Sequence, residues 1–392
     1  MHIDLSDEQR ELRDELRTYF TDLMTPELEA EVSAGGEGGG PLFREAMKKL
    51  GSDGWLGIGW PTEYGGQGRS AIEQYIFAEE AQRSGFPLPF LTINTVGPTL
   101  QKYGSEDQKN EFLPRILAGE LFFSIGYSEP DAGTDLASLK TRAVRDGDDW
   151  VINGQKLWTS LADHADYIWL AARTDAEAEK HAGISIFIVD TKSAGYSFTP
   201  IHTVGSVPTT ATYYDNVRVP ASNLVAGEGR GWELIVNQLN YERVSLMASG
   251  TVERLVNETI EYARETHTPE GGRLIDRPWV RMALARATAK VEVLKLFNWR
   301  QAWNAAGGKL DYAEASTIKV FGSESYIECY QLLAEVLGQA GYLRRDSRGS
   351  AIRGRIERLY RAMLILTFGG GTNEVQRDII AVAGLGMPRP LR

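Results

Sequence analysis

The sequence predicts an α+β protein of three consecutive units: helices over 1–119, a small antiparallel β-barrel or sandwich over 120–231, and a C-terminal four-helix bundle over 232–392. Three observations predict it. Apolar residues recur at helical spacing behind clear start signals in the first third. Short β-branched runs separated by turn dipeptides fill the middle. Long Ala- and Leu-rich helical patterns return at the end. No repeat at solenoid period overrides this order.

The first unit opens on a capping box, Ser6 with Gln9, with Asp7 and Glu8 in the first turn. Leu12, Leu16, Tyr19, Phe20 and Leu23 then mark one buried face. The glycine run 35–40 reads as a flexible connector. Helical patterning resumes over 43–50 and 72–82, and Tyr103-Gly104-Ser105 ends one helix and caps the next. In the middle unit, Asp146-Gly147 and Asn153-Gly154 are hairpin signals. Residues 167–171 form a short apolar run, 183–190 alternate and are β-branched, and 212–220 read as a strand pair. The last unit has expected helices over 232–247, 278–303, 313–337 and 356–368, and a short one over 373–382.

Composition narrows the function classes. Apolar residues make up 42% and charged residues 24% of 392, as in ordinary globular proteins. A net charge of −11 with no evident Lys/Arg stripe argues against nucleic acid as a partner. The single cysteine, Cys329, excludes a disulfide framework and a cysteine metal site, and the five histidines show no ligand spacing, so no metal is expected. The N-terminus lacks an apolar signal segment and no stretch has the apolar length of a membrane span. The expected setting is the reducing cytoplasm, with no membrane partner.

Two turn segments carry candidate chemistry. Gly126 to Asp135 ends a strand at a Pro- and Gly-broken loop, and Lys156-Leu157-Trp158-Thr159-Ser160 ends another. A flavin ring needs hydrogen bonds along its polar edge and an apolar wall. Backbone amides with Ser128, Thr159 or Ser160 can offer the first and Trp158 the second. Each segment alone also reads as an ordinary turn. Together with Asn153-Gly154-Gln155 and Ala165-Asp166-Tyr167, at this spacing, they resemble the middle domain of acyl-CoA dehydrogenases. The helix–sheet–helix order matches that family over essentially the whole chain.

The resemblance implies FAD as cofactor, contacted by Tyr127, Ser128, Gly133, Trp158, Thr159 and Ser160, and further on by Thr372 and Glu374, with Thr134 near the CoA moiety of an acyl-CoA substrate. It implies α,β-dehydrogenation of a thioester, in which a carboxylate takes the α-proton and the flavin the β-hydride. Many members place that carboxylate near the C-terminus; here the matching position is Gly370, within Phe368 to Glu374. A minority place it in a Glu-Arg pair on the helix opening the last domain, which here is Glu242-Arg243. Glu242 is therefore the expected base, supported electrostatically by Arg243. By itself the pair also reads as an exposed helical ion pair. Gly370 keeps an amide for the thioester carbonyl and leaves room for a bulky or branched acyl group, or else it is a helix C-cap.

A further departure concerns the arginine in an Arg-x-x-Phe-Gly segment that homotetrameric members lend to a neighbour's FAD. The matching stretch, Tyr262 to Arg273, lacks the Phe-Gly pair and is longer. A heteromer whose second subunit supplies that arginine resolves this, and the chain is similar to subunits of the α2β2 acyl-CoA dehydrogenases of bacterial sterol side-chain degradation. That resemblance implies a sterol side-chain CoA thioester as substrate and an electron-transfer flavoprotein as acceptor. A supporting, non-catalytic subunit, a short branched-chain acyl-CoA dehydrogenase and an acyl-CoA oxidase are the competing readings.

Overall fold

The computed structural model describes residues 4–35, 38–205, 207–245, 247–308 and 311–388, with side chains excepted at 35 and 239–245. The N-terminal helices are α1 (Asp7–Leu23), α2 (Pro26–Gly35), α3 (Pro41–Ser52), α4 (Ala71–Ser84), α5 (Gly97–Tyr103) and α6 (Glu106–Leu117). Capping boxes start α1 at Ser6/Gln9, α4 at Ser70/Glu73 and α6 at Ser105/Gln108. Leu12, Leu16 and Phe20 bury one face of α1, and Phe20 packs against Phe77 and Phe86. Each such side chain contributes roughly 1.5–3 kcal/mol by leaving water.

The middle unit is one sheet of β1 (Phe123–Gly126), β2 (Arg142–Asp146), β3 (Asp149–Leu157), β4 (Tyr167–Arg173), β5 (Ile184–Asp190), β6 (Tyr196–Ile201), β7 (Thr209–Pro220) and β8 (Leu224–Val225). The order is β6-β7-β3-β2-β4-β5-β8, with β1 beside β4. Pairing is antiparallel except for β1 with β4 and one register of β2 with β4. The sheet is buried on both faces along β4 and β5. Trp169, Ile184, Ile186 and Ile188 join the helical N-terminal core, while Ile168, Leu170, Phe187 and Val189 join a second core with Trp150 and Ile152. Burial on both sides explains why β4 reads as an unbroken apolar run.

Two turn readings are corrected here. Asp146-Gly147 makes the β2–β3 hairpin, with Asp146 opposite Asp149, but Asn153-Gly154 makes no turn, because β3 runs straight through it. Residues 212–220 are not a strand pair but part of one 12-residue strand. One bulge explains both. Asp215 and Asn216 together oppose Asn153, since Ile152 faces Val217 and Gly154 faces Tyr214. Asn216 takes a φ of 52° there and exchanges hydrogen bonds with Asn153, its amide donating to Oδ1 at 2.9 Å and Asn153 Nδ2 donating to Asn216 Oδ1 at 3.2 Å. The buried side chains of β7 consequently switch phase, from Thr212 and Tyr214 to Val217 and Val219.

The C-terminal helices are α7 (Gly231–Ser245), α8 (Gly250–Glu265), α9 (Pro278–Ala306), α10 (Tyr312–Leu337), α11 (Arg355–Ala362) and α12 (Asn373–Ile379). The sequence reading assigned no helix over 250–265, and the reason is tertiary. Ser249 before α8 is itself near-helical and makes no side-chain cap. Its amide and hydroxyl instead donate to the Glu79 carboxyl of α4, at 2.7 and 2.9 Å. Helix α10 is central and touches α7, α8, α9, α11 and α12. Helix α7 packs against α10, β5, α5 and the Leu91–Val96 turns, where all three units meet. No helix among the described residues is long and apolar enough to cross a membrane.

Candidate active site

The loop after β1 is built around an inward-turned carboxylate. Glu129 and Ala132 bond each other's backbones, the two amides donating at 2.8 and 3.2 Å, which closes a tight turn over Pro130-Asp131. The Glu129 carboxylate accepts from the amides of Lys140 at 2.6 Å and Thr141 at 2.8 Å and from Lys156 Nζ at 2.8 Å. Lys156, fully buried on β3, also donates to the Tyr127 carbonyl at 2.9 Å. Burial alone would raise the Glu129 carboxyl, but the Lys156 charge and these hydrogen bonds hold it below the ordinary carboxylate value. The pair thus staples the loop to the start of β2 and the end of β3.

The second loop follows β3 directly. The Leu157 amide donates to the Ser128 carbonyl at 2.8 Å, and Ser124 Oγ donates to the Ser160 carbonyl at 2.7 Å, so the two loops lie side by side. Trp158 and Leu161 take φ of 64° and 63°. Such left-handed non-glycine backbone costs roughly 1–2 kcal/mol per residue. Trp158 nevertheless stands 57% exposed.

Among the residues expected to hold a cofactor, Ser128, Trp158 and Ser160 are brought together on this edge. Gly133 and Thr134 lie on its exposed rim, and a Cβ at Gly133 would meet nothing within 4 Å. Two side chains are turned away. The Tyr127 hydroxyl accepts from Trp169 Nε1 at 3.1 Å and donates to Gln238 Oε1. Thr159 is buried, its amide donating to the Thr210 carbonyl at 3.0 Å and its hydroxyl 3.3 Å from that of Thr212. Their polar side-chain groups are engaged within the fold.

Gly370, Thr372 and Glu374 lie against α10. Gly370 and Gly371 have φ of 67° and 92°. Lys319 Nζ donates to the Gly371 carbonyl at 2.7 Å and to Asn373 Oδ1 at 2.8 Å, and Gln376 Nε2 donates to the Gly370 carbonyl at 3.2 Å. Thr372 caps α12 through its hydroxyl, which accepts from the Val375 amide at 3.2 Å. Glu374 is exposed in the first turn, its carboxyl held low by its own amide and by Thr372. Glu242 and Arg243 fall in the last turns of α7, and their side chains lie outside the described residues.

Sequence reasoning assigned no role to Lys156, Glu129 or Gln238. A signal existed for the first pair: a lysine in phase with buried Trp150 and Ile152 on β3 requires a buried carboxylate nearby. Gln238 carries no such signal, because its partner is distant in sequence. Among the described residues no group of three or more His, Cys, Asp or Glu could hold a metal ion.

Comparison with known proteins follows the same three units. Models described as acyl-CoA dehydrogenase N-terminal, middle and C-terminal domains match residues 6–120, 124–217 and 229–385. The chain is 56% identical to acyl-CoA dehydrogenase FadE26 of Mycobacterium tuberculosis, over the full length of both. It superposes on a chain of the ChsE4-ChsE5 complex from Mycobacterium tuberculosis with a TM-score of 0.93 at 55% identity, and on one of the Tcur3481-Tcur3483 steroid ACAD with 0.94 at 52%, each covering both chains completely. With its helical, sheet and helical units each matched in turn by that family's domains, this chain belongs to the acyl-CoA dehydrogenase family.

Proposed function

We propose that this chain uses FAD to introduce an α,β double bond into a bulky acyl-CoA whose acyl group is a sterol side chain, with Glu242 as the base. The observation that carries the cofactor reading is the strained, solvent-facing Trp158 turn locked beside the Ser128 loop. The residues fit a flat ring. An indole left more than half exposed at a positive φ gains little from packing within this chain, so a return from a ligand is expected. The open space at Gly133 and the partly exposed Ser128 and Ser160 flank it. The steroid reading is supported by the 52% identical, full-length likeness to a steroid ACAD.

Bound FAD supplies the acceptor for the β-hydride. The residues of the chain do the rest. A carboxylate oxygen of Glu242 takes the α-proton, and the electron pair of that C–H bond becomes the new C=C bond as the β-hydride departs. The α-proton is weakly acidic, so the thioester carbonyl must be polarised, for which the Gly370 amide is the candidate donor. Arg243 supports the charge of Glu242, and Thr134 lies toward the CoA. Thr372 and Glu374 would contact the FAD, Glu374 at a ribityl or adenosine hydroxyl rather than at a phosphate, which its exposed carboxylate would repel.

The chain works as part of an α2β2 heteromer and passes electrons to an electron-transfer flavoprotein. The segment where homotetrameric members carry the shared arginine keeps its own arginines paired locally, Arg264 with Glu261 and Arg273 with Asp276, and its Glu270 pairs with Arg277 just beyond. Both solved neighbours carry two chain names, ChsE4-ChsE5 and Tcur3481-Tcur3483.

The test is anaerobic bleaching of the flavin band by a sterol side-chain CoA thioester, in protein co-expressed with its partner. Wild type should bleach, and Glu242→Gln should hold FAD but fail to bleach. A mutant that bleaches as fast moves the base elsewhere and makes this chain the supporting subunit.

A further inference from the structure

Gln238 lies on α7 with no exposed surface, and its two amide ends are treated differently. Its Oε1 accepts the Tyr127 hydroxyl proton, while its Nε2 is buried without a partner. Trp169 Nε1 donates to the Tyr127 oxygen at 3.1 Å, and the Tyr127 hydroxyl donates in turn to Gln238 Oε1. An unmet buried donor costs roughly 1–3 kcal/mol. An apolar side chain of the same length would remove that donor but leave the buried Tyr127 hydroxyl without its acceptor, so stability weighs on both sides and by itself gives the carboxamide no further role.

Its location gives one. Tyr127 begins the Ser128 loop, whose backbone is stapled by Lys156 and Glu129. Gln238 is four residues before Glu242, and positions four apart lie on one face of a helix. A single buried side chain therefore joins the loop on the cofactor side to the helix turn below the base.

We propose that Gln238 is a positioning residue that registers the C-terminal half of α7 against the Tyr127 loop, so that the row Trp169–Tyr127–Gln238 sets the separation between proton acceptor and hydride acceptor. This rests on the reading of Glu242 as base. The row comes from β4, the loop after β1, and α7, so it spans two of the three units. Tyr127 thereby serves the site through its hydroxyl, which reaches toward α7.

The experiment uses the FAD-loaded complex and four variants: Gln238→Met, Tyr127→Phe, their double, and Glu242→Gln. The readouts are flavin content, melting temperature, thioester affinity and single-turnover bleaching rate. Gln238→Met and Tyr127→Phe should each keep flavin and thioester affinity while bleaching about 10- to 100-fold more slowly, on the order of displaced catalytic groups. The double should be no slower than the worse single, because both break one link. Wild-type bleaching in Gln238→Met, or losses that multiply in the double, overturns the proposal. If Gln238→Met does not fold, Tyr127→Phe carries the test, and wild-type bleaching in it overturns the proposal equally. Glu242→Gln separates the two readings: if it bleaches normally the base assignment fails, whereas if it is inert while Gln238→Met is normal only the positioning role fails.

Discussion

Lys156 and Glu129 form a pair that is costly to bury and more costly to break. Lys156→Met would strand a carboxylate with two amides and no countercharge, and a loss of about 3–5 kcal/mol in chemical denaturation is expected. Removing Glu129 as well should not restore stability fully, since the amides of Lys140 and Thr141 would lose their acceptor. Glu79 makes the opposite case. Burial pushes its carboxyl up to about 7, against the hydrogen bonds from Ser249, with Glu253 adding repulsion. The folded state thus holds a proton that the unfolded chain releases near 4.5, so this group's contribution is full below pH 4.5 and is lost as pH rises to about 7. In Glu79→Gln that decline should flatten. Melting curves from pH 4.5 to 7.5 should show wild type losing a few degrees relative to the variant.

At the scale of elements, strained backbone collects where strands turn or slip. The bulge at Asn216 shifts β7 by one residue, and it lets one strand bury Thr212 and Tyr214 before it and Val217 and Val219 after it. Asn216→Gly should be nearly neutral in stability, the easier φ offsetting two lost side-chain bonds. Asn216→Val should cost about 1–2 kcal/mol, because a β-branched side chain resists a φ of 52°. Equal losses in the two variants, read by thermal unfolding, would refute this account. The same logic applies at Gly370, where a φ of 67° taxes any side chain, so Gly370→Leu combines strain with lost room. Turnover of straight and branched thioesters must therefore be compared within that one variant. The legibility of elements follows from how local their causes are. The capping box of α1 and the N-cap of α6 were readable because the serine and its partners lie within three residues. Helix α8 was not, because Glu79, which satisfies Ser249, comes from 170 residues away.

Across the whole molecule, the N-terminal helices are tied to the C-terminal bundle by ion pairs. Glu29 of α2 meets Arg353 at 2.5 Å and Arg355 at 3.2 Å, and Arg355 also meets Glu258 at 2.6 Å. Glu253 of α8 bridges Arg83 of α4 and Lys295 of α9. Arg345 adds to these ties by donating to Ser33, while Arg361 is paired locally to Glu357 within α11. Glu29→Gln should lower stability by about 1 kcal/mol, and less at high salt, because these groups are only partly buried. A loss independent of salt would assign Glu29 a packing role instead.

What the sequence by itself determined is what arises within a few residues: helix starts, the period of each buried face, the Asp146-Gly147 hairpin and the two turn segments. The order of units follows from these, and so does the family, whose motifs are local strings. Only the tertiary structure decided which side chains reach the site. It turned Tyr127 and Thr159 inward and left Trp158 exposed, and it set Lys156 under the loop and Gln238 against Tyr127. It also kept Asn153-Gly154 within a strand, through a bulge in a partner 63 residues away. The physical reason is common to these cases. A buried polar group must find a partner wherever the chain has folded one into reach, and sequence distance says nothing about reach.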